Sequence, residues 1–285
     1  MELSKITGYI VCETFGIAPR TPQTESPTNK IDKALEMLQV WRMQLPPALK
    51  MHDDLCNPDP ACCVLHMAYN QLIVLTTRPV FFAAVKQAVA KRLVYSCKPD
   101  ELSSFSPQIQ ACPKAAHRNL VLAQRLIASQ RKLLQAGLHF VFNATVILLL
   151  NQILCCTQDV KQIEPASANK PTLCAPDPYA PDIRRALRIF EEEARTGTNY
   201  PKDCSKVLQD LKVLTDRYLA LECQVAAPRT TGPDSYVDPQ TRSGNSQSVS
   251  LQFSQPMLLE GDDGYEKMMA WAQIGGLQLQ ESLFL

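Results

Sequence analysis

Apolar positions recur at helical spacing through most of the first 225 residues, and one stretch is apolar nearly all round. It runs from Val64 to Phe82, VLHMAYNQLIVLTTRPVFF. On a helix, Cys62, Leu65, Tyr69, Leu72, Ile73 and Thr76 share one face. Val64, Met67, Ala68, Val74 and Leu75 cover most of the rest. A helix of that kind belongs inside a domain. Pro79 lacks an N–H, would clash with the Leu75 carbonyl and biases Arg78 away from helical geometry. The pattern therefore predicts a first helix ending near Thr77. Arg78 then sits at its negative end as a cap and packing residue. Pro79 opens a second, amphipathic helix.

The other elements follow from the same periodicity. Residues 2–15 read as a short amphipathic helix with Leu3, Ile6, Ile10, Val11 and Phe15 inward. Thr28 or Asn29 caps a helix presenting Ile31, Ala34, Leu35, Leu38 and Trp41, ended by Leu45-Pro46-Pro47. Pro107 or Pro113 begins a long helix with Ala116, Leu120, Ala123, Ile127 and Leu134 inward, which Gly137 breaks. Leu138–Cys156 has the length of a membrane span. It carries His139, Asn143, Asn151 and Gln152 and no orienting basic flank, so a buried central helix is expected. Asp182 opens a helix with Ile183, Ala186, Leu187, Phe190 and Ala194 inward. Arg184, Arg185, Arg188 and Glu191–Glu193 form its solvated, ion-paired outer face. Pro201 starts a last helix through Val207, Leu211, Leu214, Tyr218, Leu221 and Val225. The expected fold class is all-α: a multi-helix domain over 1–225.

Two segments follow. Residues 226–257 are rich in Pro, Ser, Thr, Gly and Gln, the composition of a flexible linker. Residues 258–285 are acidic and apolar. Asp262, Asp263, Tyr265, Met268, Trp271, Leu277 and Leu283 mark a segment suited either to a partner's groove or to folding back on the core.

Composition narrows the class. The chain has 29 Lys and Arg against 28 Asp and Glu, without the basic excess of a phosphate-gripping domain. Ten glycines against 21 prolines fit helices joined by proline-marked loops. The eleven cysteines include no C-x-x-C pair, and the amino-terminal stretch is no secretory signal. Reduced, mostly buried thiols in a cytosolic or nuclear protein are expected.

Catalytic signatures are missing from the sequence: no G-x-S-x-G, no phosphate loop, no H-E-x-x-H and no dinucleotide fingerprint. His52, His66, His117 and His139 are scattered. His66 and His139 lie on apolar helices and read as satisfied core histidines. Asp262-Asp263-Gly-Tyr-Glu266 resembles the metal-binding acidic motif of class I terpene synthases. The second half of that site has no counterpart here, and the cluster follows a linker. The expectation is a protein without enzymatic activity.

The run His66, Tyr69, Gln71, Leu72, Leu75, Arg78, Pro79 resembles the middle homology region of fungal zinc-cluster transcription factors. Downstream, Cys112, Ala115 and Ala116 open a helix leading to Phe140–Leu150, in the order of that family. An acidic C-terminal segment with a tryptophan, here Trp271, is similar to many members. The resemblance covers residues 1–225 loosely. It implies a nuclear role in transcription regulation, with this region working through intramolecular, effector or co-regulator contacts. The family's six-cysteine DNA-reading element has no counterpart, so no zinc ligand or DNA contact carries over. The resemblance implies no cofactor in this chain, zinc belonging only to the missing cluster domain. It also implies transcription machinery or co-regulators as partners, leaves room for a small-molecule effector and a homodimer, and gives no direct nucleic-acid contact and no membrane. On this reading the chain is the latter part of a longer regulator or a stand-alone one. A helical scaffold protein and a Mg-dependent all-α enzyme using Asp262, Asp263 and Glu266 remain the alternatives.

Overall fold

A computed structural model describes residues 2–14, 27–51, 59–93, 106–159, 177–195 and 199–225. Within them the protein is all-α, with no strand. The helices are α1 (Glu2–Tyr9), continued by a π-helical turn at Ile10–Thr14, and α2 (Pro27–Gln44), followed by a 3-10 turn at Pro47–Leu49. Then come α3 (Pro60–Leu93), α4 (Ser106–Ala128), α5 (Gln135–Asp159), α6 (Ala180–Arg195) and α7 (Asn199–Val225).

Helices α3, α4 and α5 pack on one another as the interior. The α1–α2 pair leans on α3, and the α6–α7 hairpin covers α5. Burial follows this order. Every residue from Leu138 to Asn151 on α5 is buried, whereas α6 buries only Ile183, Ala186 and Phe190. Two described helices, within Pro60–Ala90 and Gln135–Cys155, have the length and apolarity to cross a membrane. The apolar window of the second is 89% buried within the protein, the signature of a central core helix.

Helix starts use a repeated device. Asp59 precedes Pro60 and accepts the Ala61 N–H at 3.0 Å. Asp177 precedes Pro178 and accepts the Tyr179 N–H at 2.9 Å. In each case an aspartate satisfies an orphan donor while the adjacent proline has none to satisfy. Asp177 also accepts a 2.6 Å bond from Gln152, which ties the head of α6 to α5.

Three expectations fail. First, α3 does not stop at Thr77: it runs unbroken through Pro79 to Leu93. Proline inside a helix costs about 3 kcal/mol. The next turns bury Val80, Phe81 and Val85, each contributing about 1.5–3 kcal/mol. The exposed Pro79 ring faces outward, and Thr76 and Thr77 hydroxyls bond back to the Leu72 and Ile73 carbonyls at 2.8 Å. Arg78 is therefore mid-helix and 5% exposed, not a C-terminal cap.

Second, Gly137 lies inside α5 and does not end α4; of the two expected starts Pro107 holds, at the second residue of α4, and Pro113 is buried inside the helix. The α4 stop is at Gln130, which has a left-handed φ of 57°. Gln130 N–H bonds the Ile127 carbonyl and Arg131 N–H bonds the Leu126 carbonyl, the paired bonds of a Schellman end. Ile127 and Leu134 consequently lie at the turn, 40% and 77% exposed. Third, α7 buries Pro201, Cys204, Leu208 and Thr215, while Val207 and Leu214 are exposed. The helix is rotated from the face that its largest apolar residues mark. Among the described cysteines, Cys62, Cys63, Cys112 and Cys204 are buried and Cys12 and Cys155 exposed, in line with mostly buried thiols.

Candidate functional site

All seven residues of the Arg-Pro motif stand on α3; six are buried and Pro79 is exposed. Leu72 and Leu75 are core, 3% and 2% exposed. Tyr69 stacks on Trp41 of α2, with centroids 5.5 Å apart. His66 Nε2 lies 2.8 Å from the Leu49 carbonyl oxygen. A carbonyl only accepts, so Nε2 carries the hydrogen. Cys62 Sγ donates to the same oxygen at 3.2 Å. These two bonds fasten the 3-10 turn to α3. His66 is the satisfied core histidine that its apolar setting predicts.

Gln71 and Arg78 are buried polar residues of α3, and Arg78 lies against Cys112 of α4. Cys112 stands against Thr77 and Arg78, and burial pushes its thiol up to about 12, although the Thr77 hydrogen bond and the Arg78 charge pull the other way. A thiol of that acidity stays protonated near neutrality and is no nucleophile. Burial in turn pulls Arg78 below its ordinary value, partly offset by Cys112. Gln71 on α3 and Asn119 on α4 are fully buried, and these two helices pack on each other. Gln108, at the start of α4, donates to Asp32 of α2 at 2.6 Å.

Two further polar groups escaped the sequence pattern. Asp182, in the first turn of α6, accepts from His117 Nε2 and Gln124 Nε2 on α4, both at 3.0 Å. Arg185 completes the group through Gln124 Oε1 at 3.0 Å, and the Tyr179 ring lies 5.0 Å from that of His117. The second group joins α5 to α7. His139 Nδ1 meets Tyr200 Oη at 3.1 Å, and Asn143 Nδ2 meets His139 Nε2 at 3.0 Å. Burial raises the Tyr200 hydroxyl and pushes the Cys204 thiol up to about 11. The only advance signals were a histidine and an aspartate 65 positions apart, and no local spacing joins those.

These groups hold helices together. Among the described residues no three His, Cys, Asp or Glu side chains converge on a metal position. The one histidine–carboxylate pair, His117–Asp182, has no nucleophile hydrogen-bonded to the ring among the described residues. Asp262, Asp263, Tyr265, Glu266, Met268, Trp271, Leu277 and Leu283 lie outside the described residues.

The curated proteins that this chain matches are named as regulatory proteins. The chain is 24% identical over 199 residues to the acetamidase regulatory protein of Aspergillus fumigatus, covering 68% of this chain and 23% of that protein. The figures for the acetamidase regulatory protein of Emericella nidulans are 24%, 68% and 22%. With that of Aspergillus oryzae it shares 31% identity over 78 residues, 27% of this chain and 9% of that protein. The chain thus spans less than a quarter of the length of these relatives. No family model matches, and no solved structure matches.

Proposed function

We propose that this chain is the helical regulatory region of a fungal transcription regulator, working in the nucleus through contacts rather than chemistry. The observation that carries the reading is the similarity over 199 residues to proteins named as regulators. Six of the seven Arg-Pro motif residues are buried, which agrees with a role in packing rather than in chemistry. The 285 residues contain no zinc-cluster cysteine spacing, so DNA reading is assigned to another part or another protein. The partners are co-regulators or the transcription machinery, engaged by residues 258–285 through Met268, Trp271, Leu277 and Leu283 among the acids Asp262 and Asp263. A small-molecule effector and a second copy of the chain are compatible regulators of that engagement.

The test is to fuse the full chain to a heterologous DNA-binding domain in a fungal cell carrying a reporter. Reporter output should change several-fold, and Trp271→Ala with Met268→Ala should abolish the change. A fluorescent fusion should concentrate in nuclei. An inert reporter together with exclusion from nuclei would overturn the proposal and favour a cytosolic scaffold.

A further inference from the structure

The α3–α4 seam contains a pair of side chains whose chemistry is incomplete. Helices α3 and α4 run antiparallel: Cys63, early in α3, lies near Arg125, late in α4, whereas Thr77 and Arg78 lie against Cys112. Gln71 is one heptad before Arg78, and Asn119 is one heptad after Cys112. Stepping one heptad along each antiparallel helix moves from one facing layer to the next. Gln71 and Asn119 therefore occupy the same level of the interface. They are 1% and 0% exposed, and neither carboxamide has a hydrogen-bond partner among the described residues for either its oxygen or its nitrogen.

Buried amides in native proteins find partners, because an unmet donor or acceptor loses its hydration without return. A direct Gln71–Asn119 bond would satisfy one donor and one acceptor and leave the other oxygen and nitrogen unmet. The flanking α4 positions are small, Ala116 and Ala123, both buried. A water molecule donates two bonds and accepts two, and buried waters sit where polar groups lack partners.

We propose that Gln71 and Asn119 together form an internal hydration site, holding one ordered water between α3 and α4. The water completes a second polar layer beside that of Thr77, Arg78 and Cys112. Such layers set helix register, because a slip would part the groups that share them.

Two measurements on the full chain test it. In nitrogen-15-labelled wild-type protein, both carboxamide groups should show water cross-peaks of the sign that marks a long-lived bound molecule. Gln71→Leu and Asn119→Leu should each lower the folding equilibrium constant about ten-fold, each stranding one amide and the water. The double variant should return to within about three-fold of wild type, because both partners are then apolar. Carboxamides bonded only to each other, without a long-lived water, would overturn the proposal. So would a double variant that loses the product of the two single effects. The wild-type spectrum decides the matter even if a variant fails to fold.

Discussion

Arg78 and Arg185 are the same residue in opposite surroundings. Arg78 sits mid-helix on α3, 5% exposed against Cys112, and burial lowers its affinity for the proton. Arg185 sits on α6 with a side chain 55% exposed, bonded to Gln124 and 3.5 Å from Asp182. The contrast extends to the elements that carry them. The α3–α4 pair is sealed, and its polar groups must be met inside the protein. The α6–α7 hairpin has one wet face, and water meets what the protein does not. Sealed polar groups are costly to disturb, and wet ones are nearly free.

The largest expected break is Phe81→Ala. Its side chain is fully buried just past Pro79, so denaturant unfolding should show a loss of about 3–5 kcal/mol. A loss below about 1 kcal/mol would mean that α3 does not hold its second half inside the core.

Next is alkaline pH. Cys112 has its folded value raised from 9.0 to about 12. A group raised on folding contributes fully below its unfolded value and loses that contribution as pH rises through the folded one. Stability should therefore fall between about pH 9 and 12, by at most about 1.4 kcal/mol per pH unit for this group. Cys204, raised to about 11, falls in the same direction. The decline should be shallower in Cys112→Ala; an unchanged slope would show the thiol to be accessible.

Pro79→Ala tests the cost of an unbroken helix. Alanine restores the missing donor, and its helix propensity favours α3 by up to about 3 kcal/mol. A rise of about 1–3 kcal/mol in unfolding free energy is expected. A loss would mean that the proline geometry itself positions Phe81.

On the rim helix α7, Thr215 is 1% exposed and its hydroxyl has no partner among the described residues. Thr215→Val should stabilise by about 1 kcal/mol, readable as a higher thermal midpoint. Destabilisation would reveal a partner for the hydroxyl. The smallest effect belongs to Arg188→Ala on the exposed face of α6, which should leave the denaturant midpoint unchanged within error. A clear shift would make that face part of a binding surface.

These regions also differ in how far they were legible in the sequence. Helix α6 was largely readable: Ile183, Ala186 and Phe190 are buried, Leu187 and Ala194 half-buried, and Arg184, Arg185, Arg188, Glu191 and Glu192 face water. One face differs from the other, so periodicity identifies the buried side. On the first half of α3 apolar residues lie nearly all round, and periodicity cannot say which side meets which neighbour. The motif residues were legible as a set, yet Gln71 and Arg78 acquired their meaning only opposite Asn119 and Cys112. The α4 stop escaped because Gln130, not a glycine, takes the left-handed turn. Composition places no mark there.

Apolar period and length, which are local, were enough to show that the chain is helical, that α5 is interior and that the Val64–Phe82 stretch lies in the core. That α3 continues through Pro79 emerges from packing, because burial of Val80, Phe81 and Val85 outweighs a local penalty. Packing alone decided which partners the histidines meet: His117 with Asp182, and His139 with Tyr200. Such meetings depend on how whole helices pack, and no short window of sequence contains both partners.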